Sequence, residues 1–65
     1  MNKQEFIAEL SRLLKVKPED KQSIIEEYEN YFQEALAAGE LEADIIASLE
    51  SPAQIAMNAN SELGE

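Results

Sequence analysis

Glu26, Glu27, Glu29 and Glu34 form the densest group of side chains in this sequence that are able to do chemistry. Carboxylates at such spacing suggest either an acid/base pair or a set of oxygen ligands for a hard cation. Neither fits well. Positions one apart on a helix do not face each other, and the cluster lacks the Asx- and Gly-containing loop around which a calcium site is built. What remains is a solvated helix face. Its functional content is clustered negative potential, which suffices for docking a basic partner without strict geometry.

The other reactive groups are poorly supported. Ser11, Ser23, Ser48 and Ser51 have no general base beside them, and the chain contains no histidine and no cysteine. An activated nucleophile, a thiolate metal site and a disulfide therefore lack their usual parts. Gly39 and Gly64 are the only glycines, so no phosphate-cradling loop is present. These observations predict a protein that is not an enzyme and that takes no cofactor or metal.

Tyr28 and Tyr31 fall on an apolar helical stripe, where aromatics are usually core. A tyrosine at the core edge, with its hydroxyl in water, can also join an interface. Met57 falls on the face opposite Ile55, Ala56 and Ala59, which makes it a second marker of a contact surface. The candidate partner-binding residues are thus Glu26, Glu27, Glu34, Tyr31 and Met57.

Charge narrows the partner. The chain carries 14 acidic and 5 basic residues, a formal net charge of -9, and no lysine or arginine after Lys21. Lys15, Lys17 and Lys21 make a small basic patch, but Glu19 and Asp20 sit within it. Nucleic acid is not an expected partner of such a surface. Nothing near Met1 to Phe6 resembles a signal peptide, and no apolar run approaches the ~20 residues of a membrane span. The expected location is the cytoplasm, with no membrane insertion by this chain.

The elements that must position these residues are helical throughout. At 65 residues the chain is one domain near the lower size limit, where about 60% of the unfolded surface can be buried and apolar packing must supply the stability. Apolar residues recur at helical spacing and no segment alternates as a strand would. The spacing predicts an all-α bundle of three principal helices plus a short fourth.

The first helix is expected from about Lys3 to Lys15. Asn2 caps it, Glu5 is the capping-box partner, and Phe6, Ile7, Leu10, Leu13 and Leu14 form its stripe. Pro18 opens the second, whose stripe is Ile24, Ile25, Tyr28, Tyr31, Phe32, Ala35 and Leu36 and which stops near Ala38 with Gly39 in a left-handed conformation. Leu41, Ile45, Ile46 and Leu49 mark the third, ending near Glu50, with Leu41 standing where a capping residue belongs. Ser51 caps the fourth, with Pro52 first, Gln54 as reciprocal partner, and Ile55, Ala56, Ala59 and Leu63 inward. Asn60 to Glu65 are expected to be a loose tail.

In this order the residues resemble a known family. Asn2-Lys3-Gln4-Glu5-Phe6 with Leu10, the Pro18-Glu19 start, Glu27-Tyr28-Glu29 with Phe32 and Ala35, the stop at Gly39, then Ile45-Ile46, Leu49, Pro52 and Ile55-Ala56 are similar to the HAAS domain, the helix-turn-helix-associated α-helical signalling domain of bacteria. The resemblance covers residues 2 to 57. The chain departs from the family pattern at Glu50-Ser51, where glycine and aspartate are usual, and at Leu41, where serine or threonine is usual.

The resemblance implies a largely uncharacterised N-terminal cytoplasmic module, paired with PadR-type transcriptional regulators and commonly followed by transmembrane helices. This chain is then either an excised domain or a stand-alone version. No catalytic residues carry over. The expected function is that of a non-enzymatic signalling or adaptor domain binding a protein partner, such as a PadR-type regulator. The alternative is a homodimerisation module built on the wide stripe of the second helix.

Overall fold

The computed structural model describes residues 1–64. They form four helices and no strand: α1 (Lys3–Leu13), α2 (Pro18–Ala37), α3 (Glu42–Ser48) and α4 (Pro52–Leu63). The all-α expectation holds. The short element is α3, with 7 residues, and α4 has 12. Helix α1 packs against the other three, most extensively against α4, and α2 also packs against α3.

The start of α1 is closed as its sequence indicates. The Asn2 side chain accepts from the Glu5 N–H at 2.8 Å, and the Asn2 N–H donates to Glu5 Oε1 at 3.1 Å. A third free donor is satisfied from a distance: the Lys3 N–H donates to Glu42 Oε1 at 2.7 Å. Glu42 lies in the first turn of α3, so its carboxylate stands at the positive ends of two helices at once.

Helix α1 ends at Leu13 rather than Lys15. Leu14 turns extended, with ψ 124°, and places its side chain in the core. The backbone groups on either side are taken up by Asn60 of α4. Its amide donates to the Leu13 carbonyl at 3.1 Å and its Oδ1 accepts from the Lys15 N–H at 2.7 Å. Asn60→Ala should therefore cost ~1–2 kcal/mol, the scale of a partly buried carbonyl and an N–H losing their partners. Chemical denaturation with an unchanged m-value would show this; an unchanged midpoint would mean that water replaces both bonds freely.

Helix α2 begins on Pro18 and stops at Gly39, whose φ is +94°. The Glu40 N–H donates to the Ala35 carbonyl and the Gly39 N–H to the Leu36 carbonyl, at 3.1 and 3.0 Å. This pair of bonds is the Schellman stop, which calls for a residue free to adopt positive φ. Leu41 gives α3 no side-chain cap. At α4 the Ser51 hydroxyl accepts from the Gln54 N–H at 3.1 Å, but the reciprocal half of the expected box is not made. Gln54 instead donates along the helix to Asn58 Oδ1. The helix continues through Asn60 to Leu63, residues assigned from the sequence to a loose tail, and Glu65 lies outside the described residues.

The core consists of Phe6, Leu10, Leu14, Phe32, Ala35, Ile45, Ile55 and Ala56. Phe6 meets Phe32 edge to face with ring centroids 5.5 Å apart, and Tyr28 at 6.3 Å. Leu13, Ile25, Tyr28, Ile46 and Leu49, expected inside, are half-buried against this cluster. Leu36, Leu41 and Leu63 are exposed despite their place in the apolar pattern. Each lies at or near the end of an apolar stripe, and Leu63 stands at the rim of the groove that α4 shares with Ile24 and Tyr28 of α2.

Candidate functional site

Helix geometry decides how the acidic cluster on α2 is presented. At about 100° per residue, Glu27 and Glu29 lie about 160° apart around the helix. The structure bears this out, because the two face different grooves. Glu29 lines a groove with Gln4, Ile7, Ala8 and Ser11 of α1, whereas Glu27 lines one with Asn58, Ala59 and Glu62 of α4. The carboxylates read as one cluster are two flanks.

Glu27, Tyr31 and Glu34 share one flank, being one turn apart in succession. All three are exposed, Tyr31 to 43%. Glu26 points more directly to solvent and accepts from Gln22 Nε2 at 3.0 Å. Met57 is 62% exposed on α4, on the far side from Ile55 and Ala56 as expected. Met57 is not among the residues lining the groove that Glu27 shares with Asn58, Ala59 and Glu62 of α4.

Among the described residues the only ion pair is Arg12 with Glu9, one turn apart on α1 and exposed to solvent. The neighbouring carboxylate holds the Arg12 guanidinium above its ordinary value, through the hydrogen bond and the charge. Such an exposed pair adds little to stability. The α2 carboxylates have no cationic partner among the described residues, and their negative potential is not neutralised within the molecule.

Tyr28 sits where the two properties of α2 meet. Its ring packs on Phe6, while Glu27 and Glu50 stand beside it in the groove toward α4. Burial pushes its phenol above the ordinary value, and the charges of Glu27 and Glu50 act in the same direction. The hydroxyl thus stays neutral through the physiological range and is available as a hydrogen-bond donor. The sequence reading chose Tyr31 alone for the interface and missed this role.

No group of three or more acidic side chains among the described residues is arranged to hold a metal ion. No helix among them is long and apolar enough to cross a membrane. Among the described residues no polar or charged side chain is buried. The class that the fold and these side chains define is a small helical bundle whose α2 carboxylates have no cationic partner among the described residues.

The model of one protein family, HAAS, matches residues 5–58. The chain belongs to the HAAS family. No curated protein and no solved structure matches it significantly.

Proposed function

We propose that this HAAS domain is a non-enzymatic signalling or adaptor module that recognises a protein partner of opposite charge. A PadR-type transcriptional regulator is the partner to which the family resemblance leads. The observation that supports the reading is the flank of Glu27, Tyr31 and Glu34, an aromatic between two unpaired carboxylates on a helix with no cation after Lys21. An exposed, charged, partly aromatic surface is suited to steering and docking rather than to holding a small molecule.

The homodimer reading has less surface to draw on. Phe32 and Ala35 are buried within the chain, and Ile24, Ile25 and Tyr28 are packed against its own core. Of the wide apolar stripe, Tyr31 and Leu36 are left exposed. They lie about 140° apart around α2.

Affinity capture from native cytosol, followed by association kinetics with the captured protein, tests the proposal. Raising the ionic strength from low to physiological should slow association ~10-fold or more, because steering between opposite charges is screened. The double variant Glu27→Lys, Glu34→Lys should lose most of that dependence while keeping its helical circular dichroism. Duplex DNA should not bind. Rates indifferent to both salt and charge reversal would refute the acidic flank, and DNA binding would refute the adaptor reading.

A further inference from the structure

A groove of about 620 Å³ lies between α1 and α2. On α1 its wall is Gln4, Ile7, Ala8 and Ser11. This i, i+3, i+4, i+7 set runs straight along two turns, or ~10 Å. On α2 it is Ile25 and Glu29, and Glu42 closes one end. Ile7 and Ile25 are half-buried and form an apolar floor; Ala8 is exposed and, with Ser11, keeps the α1 wall low.

These walls have the form of a helix seat. Two helices with short side chains along one margin allow a third to settle at the ~8–10 Å spacing of packed helices. The charges then select among helices. The α1 wall of Gln4, Ile7, Ala8 and Ser11 carries no charge, while the α2 wall carries Glu29. Lys3 stands only at the end of the groove, where its backbone N–H is already bound to Glu42.

We infer that this groove seats one amphipathic helix of a protein partner, with small or medium apolar side chains on Ile7, Ala8 and Ile25 and lysine or arginine along the flank facing Glu29. The inference rests on the adaptor reading and gives it a second, distinct contact. A copy of the same chain does not offer such a helix. Helices α3 and α4 contain no lysine or arginine, and α2 contains only Lys21. Helix α1 is held by all three of its neighbours.

The test uses a synthetic amphipathic peptide of ~18 residues, long enough to form a helix, with alanine and leucine on one face and lysine on one flank. It is titrated into the isotopically labelled chain and followed by amide chemical shifts. Saturable changes should concentrate at Gln4 to Ser11 and Ile25 to Glu29. Ala8→Trp, which fills the seat, and Glu29→Lys, which reverses the flank, should each weaken binding ~10-fold or more, a loss of ~1.4 kcal/mol or more. Both should retain the parent's melting temperature and helical spectrum. Glu27→Lys, on the opposite flank, should leave the affinity within ~3-fold, or ~0.7 kcal/mol.

Several results would overturn the groove. Shifts centred on Glu27, Tyr31 and Glu34 would do so while supporting the adaptor reading. Equal binding of a peptide with glutamate in place of lysine would remove the charge selection on which the occupant rests. Groove shifts that grow with protein concentration alone would make a second copy the occupant and end the proposal. Absence of saturable binding ends it too, and the adaptor reading then stands or falls separately on the salt dependence of the captured partner.

Discussion

Phe32→Ala should leave the chain largely unfolded at room temperature. The Phe32 ring is fully buried and meets Phe6 edge to face. Its removal deletes the edge-to-face contact between α2 and α1. Truncating a buried phenylalanine costs ~3–5 kcal/mol, and a domain this small has about that much net stability in total. Tyr31→Ala is the control, because Tyr31 neighbours Phe32 in sequence yet lies outside the core. It should stay within ~1 kcal/mol of the parent. Thermal melts followed by circular dichroism decide the matter. A Phe32→Ala chain with a cooperative transition near the parent's would mean that α1 and α2 are held together elsewhere.

Gly39→Val is the second large effect, and its cause is different. A Cβ at Gly39 would meet nothing within 4 Å. The cost is conformational, since φ is +94° and a β-branched residue is poorly accommodated there. Forcing an L-residue into the left-handed region costs ~1–2 kcal/mol, and each kcal/mol lowers the midpoint of a domain this size by ~4–8 °C. Gly39→Asn should recover part of the loss, because asparagine visits positive φ more readily. Equal melting of the valine, asparagine and parent chains would exclude the left-handed stop.

Features set by neighbours in sequence were the most legible. The Asn2–Glu5 box, the Pro18 start, the Gly39 stop and the Ser51 cap each require only residues within a few positions of one another. The end of α1 was set instead by a distant partner. Helix α1 ends early because Asn60, 45 residues beyond Lys15, takes up the backbone there. The same residue had been assigned to a loose tail, since its polarity is uninformative until the carbonyl it serves is known. Leu41 and Leu63 fit an apolar rhythm yet are exposed, since rhythm marks a face and not how fully each residue on it is covered.

The candidate site was legible as a composition and less so as a shape. Glu26, Glu27, Glu29 and Glu34 are close in sequence, and that closeness suggested one surface. Periodicity alone separates Glu27 from Glu29, but only the packing of α1 and α4 on the two sides of α2 gives the separation a meaning. The α1 wall was harder to foresee. Ala8 and Ser11 carry no functional signal of their own and matter only through what stands across from them.

The Asn60 bridge has a consequence for how the chain is made. At elongation rates of ~5–20 residues per second, Asn60 is synthesised on the order of 2–10 s after Leu13, given their separation of 47 residues. Throughout that interval α1 has neither its main packing partner nor the amide that closes its final turn. Early compaction must therefore depend on α1, α2 and α3, with the Phe6–Phe32 contact available first and the bridge added last. Substitutions at Asn60 should then hasten unfolding far more than they slow refolding, so damage at this position would appear as a shortened lifetime of the native chain rather than as a delay in reaching it.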